Sequence, residues 1–301
     1  MVLATTNLIK RFGRTTALSG ITFRVEPGEL VGLVGPDGAG KTTLLRLLAG
    51  VYRPTSGDIT LEVSRKRVGY LSQHFSLYPD LTVQENIAFF ASVYGLHRQA
   101  IRRRSQYLLE WVGLAPFQDR LAAQLSGGMK QKLSLACALL HPTDLLLLDE
   151  PTTAVDPVSR REFWALIQEL VAQGTAVIVS TPYMEEAARC HQVGLLHQGR
   201  LLAYQSPESL LARYPYRILA VQAPSSSRSA LESAAMRFPG AVGCHPFGSV
   251  VHVSLRQSLT EHQQQLAAYM TGLPGLETEE VAPSLEDVFI WMLEAEGVGA
   301  C

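Results

Sequence analysis

The sequence predicts an α/β fold built on a largely parallel sheet, followed by a smaller α+β domain. Three observations carry this expectation. Residues 35–43, Gly-Pro-Asp-Gly-Ala-Gly-Lys-Thr-Thr, stand between the apolar runs Leu30-Val31-Gly32-Leu33-Val34 and Leu44-Leu45-Arg46-Leu47-Leu48-Ala49, so a strand, a glycine loop and a helix follow one another. Strand-like runs at 145–148, 176–180 and 193–196 alternate with helical patterns at 157–173 and 183–189, which implies parallel strands with helices on the sheet faces. Near Tyr214-Pro215 the composition shifts, and Ala223-Pro224-Ser225-Ser226-Ser227 reads as a polar loop. The expected domains are residues 1–213 and 214–301.

Taken in order, residues 4–9 and 21–25 read as strands, with Lys10-Arg11-Phe12-Gly13 a polar turn between them. Strand-like runs at 58–62 and 68–71 flank Arg65-Lys66-Arg67, expected to be a solvated hairpin tip. From about 74 to 142 the pattern is helical. Thr82 and Glu85 have capping-box spacing, ahead of a helix carrying Val83, Ile87, Phe90 and Val93. A second helix over 96–112 carries Arg98, Arg102, Arg103 and Arg104, read as a solvated face in preference to a nucleic-acid patch. The tail reads β-α-β-β-α-β-α over 217–222, 229–238, 242–245, 250–255, 260–271, 278–281 and 284–296. Its first six elements resemble a split βαβ, ferredoxin-like module. No motif in that tail carries chemistry, so it is expected to regulate, to dimerise or simply to pack.

The chain of 301 residues has 26 Lys+Arg against 27 Asp+Glu, a formal net charge of −1, so no global field favours nucleic acid. Charged or polar residues interrupt each apolar stretch before it reaches membrane-spanning length. The start, Met1-Val2-Leu3-Ala4-Thr5-Thr6, lacks the basic flank and apolar segment of a signal peptide. Cys137, Cys190, Cys244 and Cys301 are scattered without a C-x-x-C pair, so neither a zinc site nor a disulfide framework is expected and the compartment is read as cytosolic.

The glycine loop has the pattern G-x-x-x-x-G-K-[ST] in the strand–loop–helix context that gives the pattern meaning. Glycines let several backbone N–H groups face one anion, and the helix start adds its partial positive charge. Lys41 would reach the outer phosphates of a nucleoside triphosphate, and the Thr42 hydroxyl would hold Mg²⁺. A bland glycine turn with an incidental lysine would not need that flanking strand and helix. Leu145-Leu146-Leu147-Leu148-Asp149-Glu150 delivers two acids to the end of a buried strand. Asp149 is suited to orient the Mg²⁺ water shell, and Glu150 to accept a proton from an attacking water. A third element, Leu125-Ser126-Gly127-Gly128-Met129-Lys130-Gln131-Lys132, opens another helix with a serine and two glycines, a second anion-binding helix start.

With these three stretches together, residues 1–213 resemble an ATP-binding-cassette (ABC) ATPase, a P-loop NTPase with a helical subdomain over about 74–142. The resemblance implies that two cassettes meet head to tail, the Ser126-Gly127-Gly128 signature of one capping ATP on the phosphate loop of the other. It places Gly35, Pro36, Asp37, Gly38, Ala39, Gly40, Lys41, Thr42 and Thr43 on the phosphates and Phe12 on adenine. Gln73 falls on the position that touches Mg²⁺ and relays to the membrane part, and Thr153-Ala154-Val155-Asp156 on the loop that crosses to the opposite cassette. Residues 75–86 and the closing Pro283-Ser284-Leu285-Glu286-Asp287-Val288-Phe289 resemble the drug-efflux branch of bacterial exporters.

Two positions depart from that family pattern. Pro182 occupies the place of the switch histidine, and Asp37 that of an asparagine in the phosphate loop. Proline cannot donate to the γ-phosphate. Both departures resemble the non-consensus cassette of tandem efflux ATPases. The resemblance therefore implies an ATP- and Mg²⁺-binding exporter subunit with impaired hydrolysis in its own site. Its partners would be membrane permease subunits and a second cassette, a consensus one in preference to a second copy, held at the inner face of the membrane through the permease. In a homodimer Asp37 would approach the other copy's Asp156, and two close carboxylates repel. The competing classes are a non-hydrolysing ATP clamp and a soluble ABC ATPase acting on nucleic acid or ribosomes. The latter usually needs coiled-coil arms, zinc modules or two linked cassettes.

Overall fold

Strands β1 (Leu3–Phe12) and β2 (Thr15–Val25) pair as an antiparallel hairpin, and β4 (Ser56–Leu61) adds to the other edge of β1. The computed structural model describes residues 1–73, 77–95, 97–223, 228–238, 240–256 and 275–295. Pairing of Phe12 with Thr15 makes Gly13-Arg14 the hairpin turn, so Phe12 ends a strand instead of lying in the turn expected at Lys10–Gly13. Nor is Arg65–Arg67 a hairpin tip. It is a short 3₁₀ turn that carries the chain from β4 into β5 (Val68–Leu71), a strand of a different sheet. Arg67 grips both carboxylate oxygens of Asp144 there, a two-point pairing that only a guanidinium offers.

The second sheet holds the site. Its order is β5, β6 (Leu145–Asp149), β7 (Ala176–Thr181), β3 (Leu30–Val34), β8 (Gln192–His197) and β9 (Arg200–Gln205). The first five strands run parallel, and β9 closes one edge antiparallel to β8. Every residue of β3, β6 and β7 is buried. That explains their continuous apolar runs, since a parallel strand covered on both faces has no solvent side to alternate with. Leu33 and Leu147 are fully buried among Leu44, Leu48 and Ile178, each side chain contributing about 1.5–3 kcal/mol relative to exposure. Strand β9 escapes sequence reading because its residues are mostly half-buried and form no bounded apolar run.

Helix α1 (Lys41–Leu48) packs on this sheet. Helices α2 (Val83–Val93), α3 (Arg98–Trp111) and α4 (Gly127–Ala138) form the helical segment. The Thr82–Glu85 capping box is present in full, Glu85 Oε2 accepting from Thr82 N at 2.8 Å and Thr82 Oγ1 from Glu85 N at 3.1 Å. On α3, Arg102 and Arg103 are exposed, whereas Arg104 donates to Leu139 O at 2.8 Å and so ties α3 to the end of α4. Helices α5 (Pro157–Ala172) and α6 (Met184–Ala187) complete the alternation. No helix among the described residues is long and apolar enough to cross a membrane.

The compact units divide at Pro207/Glu208, just where the short helix α7 (Pro207–Ala212) begins. Within the second unit, β10 (Arg217–Gln222), β11 (Ala241–Phe247), β12 (Val250–Leu255) and β13 (Glu277–Val281) form one antiparallel sheet in the order β11-β12-β10-β13. This is the strand order of a split βαβ module, the third strand lying between the first two. Helix α8 (Arg228–Met236) packs Leu231 and Ala235 on Leu219, Val221 and Val253. Helix α9 (Leu285–Ala295) closes the described chain. The helix expected at 260–271 lies outside the described residues, as does Cys301.

Candidate functional site

Parallel pairing sets the geometry before any side chain is considered. Leu33 of β3 pairs with Ser180 of β7, and Ser180 pairs with Asp149 of β6. The loop after β3 and the acids ending β6 therefore leave the same carboxyl edge of the sheet, one strand apart, where open α/β sheets bind ligands. Ser180 bridges them. Its Oγ donates to Asp149 Oδ1 at 2.8 Å and accepts from Glu150 N at 3.0 Å.

The loop 35–40 needs its glycines for space as well as conformation. A Cβ on Gly35 would stand 2.0 Å from Leu196 O, and one on Gly40 would stand 2.7 Å from Leu18 Cδ2 at a left-handed φ of 105°. At Gly38, φ 78°, a Cβ would meet only open space, so the demand there is backbone conformation alone. Gly40 caps α1 without a side-chain acceptor, and the first turn carries no acid. The N–H groups and partial charge at that helix start are left for an outside anion. Ala39 is buried, while Pro36, Asp37 and Gly38 are exposed.

Lys41 is 4% exposed and folds back over this loop. Its Nζ donates to Gly35 O at 2.7 Å and Pro36 O at 3.2 Å and lies 3.4 Å from Glu150 Oε1. Glu150, 7% exposed, sits at a left-handed φ of 48°, a conformation that costs a non-glycine residue about 1–3 kcal/mol and recurs where function demands it. Its other oxygen accepts from Gln73 Nε2 at 3.0 Å and Thr153 Oγ1 at 3.4 Å. Thr42 Oγ1 donates to Asp149 Oδ1 at 3.0 Å, and Tyr70 OH donates to Asp149 Oδ2 at 3.2 Å. Burial, followed by the charge of Asp149, pushes the Tyr70 phenol up to about 12. The phenol thus stays a proton donor that fixes the carboxylate.

The structure brings Lys41, Thr42, Asp149, Glu150 and Gln73 together. Gln73 meets Glu150, whereas the hard-oxygen pair suited to a divalent cation is Thr42 with Asp149. Thr43 follows within α1. Pro182, in the position that departs from the family pattern, is exposed. The neighbouring Thr181 Oγ1 donates instead to Glu186 Oε2 at 2.5 Å, and Thr152 Oγ1 donates to Glu186 Oε1 at 2.7 Å.

Two predicted elements lie apart from this cluster on the same unit. Phe12 is 44% exposed and meets Tyr52 edge-on at 5.4 Å, with Lys10 Nζ 4.8 Å from its ring centre. The ring is therefore held at the surface by its edge contact with Tyr52 and the Lys10 ammonium, and not buried in the core. Ser126 caps α4, its Oγ accepting from Met129 N at 3.3 Å. Ser126 and Gly127 are exposed, while Gly128 is buried so closely that a Cβ would stand 2.4 Å from Ser159 Cβ. Asp156 caps α5, accepting from Val158 N and Ser159 N, and those donors, Ser159 first, hold its carboxyl below the usual range.

Sequence reasoning missed Ser180, Tyr70, Tyr52 and Thr153 as members of the site. Ser180 and Thr153 stand within stretches quoted above, but only the strand register reveals their contacts. Tyr70 and Tyr52 carried no motif.

A backbone cradle ending in a buried lysine, with two acids facing it across a single strand, is the arrangement of a P-loop nucleotide-binding protein. Residues 18–153 match the family model described as ABC transporter. The chain is 37% identical over 307 residues to the probable multidrug ABC transporter ATP-binding protein YbhF of Escherichia coli K12, covering 98% of this chain but only 53% of that protein's length. It is 35% identical over 294 residues to the Nod factor export ATP-binding protein I of Burkholderia pseudomallei, covering 93% of each. Among solved structures, an ATP-binding subunit of an ABC transporter superposes with a TM-score of 0.64 at 29% identity, covering 71% of this chain and 93% of that one. The cassette MJ0796, dimeric and bound to ADP and Pi, gives 0.62 at 25%, covering 68% and 98%. The chain belongs to the ABC transporter family of ATP-binding proteins.

Proposed function

We propose that this chain is the ATP-binding subunit of an exporter, coupling nucleotide binding and hydrolysis in a cassette dimer to transport by separate membrane subunits. The observation that carries the reading is Lys41 held between the loop carbonyls and Glu150. In that state the lysine's charge neutralises the base. A γ-phosphate entering the loop offers Lys41 a stronger partner, which releases Glu150 to accept a proton. An attacking water, in line with the leaving oxygen, would then form a bond to the γ-phosphorus as the bond to the β,γ-bridging oxygen breaks. ADP leaves with that electron pair, and Glu150 takes the water's proton. Thr42 and Asp149 would hold Mg²⁺, which screens phosphate charge, and Gln73 would join them through its amide oxygen. The names of the YbhF and Nod factor relatives support export. Anchorage at the inner face of a membrane would come from the permease.

Phe12 is assigned to adenine, with Gly35–Thr43 on the phosphates. Base stacking on an aromatic side chain contributes about 1–3 kcal/mol. Phe12→Ala should therefore weaken MgATP binding by roughly 5–150-fold in a fluorescent-nucleotide titration, with little effect on unfolding temperature because the ring is half exposed.

Pro182 supports the companion reading that this site turns over slowly and mostly clamps ATP, lending Ser126-Gly127-Gly128 to a competent partner site. An absent preorganised donor costs about 10²–10³ in rate. Restoring it with Pro182→His should raise single-turnover hydrolysis by about 10²-fold without changing nucleotide affinity. A chain that already hydrolyses at ordinary cassette rates, and gains nothing from the histidine, would remove support for an impaired site.

A further inference from the structure

The second unit contains a cluster that no sequence motif announced. On β11 and β12, His245 and His252 are direct cross-strand partners, so both rings stand on one face of the sheet. Helix α9 sets Asp287 over them. His245 Nε2 lies 2.9 Å and His252 Nδ1 2.8 Å from the same oxygen, Asp287 Oδ1, and the three ligand atoms lie within 4.8 Å of one another. The side chains are 12%, 5% and 0% exposed.

Asp287 divides its work between its two oxygens. Oδ2 accepts from Ser284 N and Ser284 Oγ, both at 2.6 Å, and Asp287 N donates back to Ser284 Oγ at 3.3 Å. This is a capping box at the start of α9. It fixes the carboxylate's position independently of the histidines. The contact to His245 is unusual. Although Nε2 is shut off from solvent and only 2.9 Å from Oδ1, no acceptor among the described residues completes a hydrogen bond with it. His252 Nδ1 does hydrogen-bond that oxygen, so two imidazole nitrogens crowd one carboxylate oxygen and only one of them is satisfied by it.

We propose that His245, His252 and Asp287 form a binding site for a divalent transition metal of the zinc class, which ties the closing helix α9 to the β11–β12 hairpin. Two imidazoles and one carboxylate are the ligand set such ions take. Tetrahedral ligation at about 2.0–2.1 Å separates ligand atoms by about 3.4 Å, so the two N···O spacings need open by only about 0.5 Å. A cavity of about 10 Å³ borders His245 and Asp287, lined also by Tyr214, Ser254 and Glu294. That is room for roughly one water, the fourth ligand of a three-residue site. Phe247 stacks on the His252 ring at 4.2 Å and holds its plane.

The test uses the full chain, stripped with chelator and titrated with Co²⁺ in the absence of nucleotide and Mg²⁺. The expected result is one equivalent bound with the visible d–d absorption of a four- or five-coordinate ion, displaced by one equivalent of Zn²⁺. His245→Gln and His252→Gln should each weaken binding at least as much as the ~10–100-fold that losing a supporting residue costs. Thr42→Ala should leave the cobalt stoichiometry and spectrum as they are while weakening the Mg²⁺ dependence of nucleotide binding, which separates this site from the nucleotide's cation. X-ray absorption of the Zn²⁺-loaded wild-type chain should report two imidazoles and no sulfur, and it decides the matter even if a variant fails to fold. Absence of the cobalt spectrum, its persistence in the His245→Gln, His252→Gln double variant, or sulfur in the zinc shell would overturn the proposal.

Discussion

In a Pro182→His background, Glu150→Gln should lower single-turnover ATP hydrolysis by about 10²–10⁴, the usual contribution of a positioned general base, while MgATP binding persists. The substitution preserves shape. The new side-chain amide can still meet Gln73 and Thr153, which both donate to one oxygen of the native carboxylate. What it removes is a proton acceptor and the anion 3.4 Å from Lys41. With that competitor gone, Lys41 is freer for phosphate, so affinity should hold or rise while chemistry stops. Quantifying released phosphate and retained nucleotide in one filter assay separates the two effects. Equal loss of both would mean that Glu150 supports the loop instead of the reaction.

Lys41→Ala should do the reverse, weakening MgATP binding by about 10²–10³-fold and also lowering the stability of the nucleotide-free protein. The phosphates lose a charge-assisted donor. Glu150, only 7% exposed, also loses its sole ion-pair partner among the described residues, and stranding one member of a buried pair costs about 3–5 kcal/mol. That penalty falls on the nucleotide-free protein, so the unfolding temperature should drop as well. Calorimetric titration at fixed Mg²⁺ measures the affinity. Lys41→Arg gives the control, since it keeps the charge but cannot fold into the carbonyls of Gly35 and Pro36 with the same geometry.

Much of this is legible in the sequence because the chemistry is local. The strand, glycine loop and helix around Lys41 are contiguous, as are the four leucines that deliver Asp149 and Glu150. The capping signal at Thr82 also lies within three residues of the group it binds. Relations made by sheet order cannot be read that way. Ser180 joins the site only because β7 lies between β3 and β6. The turn at Arg65–Arg67 is not a hairpin tip because strands adjacent in the chain enter different sheets. His245 and His252 look like ordinary strand residues until register sets them face to face, with Asp287 arriving from a helix 35 positions after His252.

One geometry underlies the proposed function: a triphosphate held by the Lys41 loop and sealed by the exposed Ser126 end of another cassette. Sedimentation velocity tests it most directly, using the Glu150→Gln chain mixed with its Asp37→Asn, Pro182→His, Glu150→Gln derivative at saturating MgATP. The expected result is a two-chain species that forms only with nucleotide and disappears when both carry Ser126→Arg, although each chain still binds MgATP. A nucleotide-driven dimer indifferent to Ser126→Arg, or chains that stay single while fully loaded with MgATP, would contradict it.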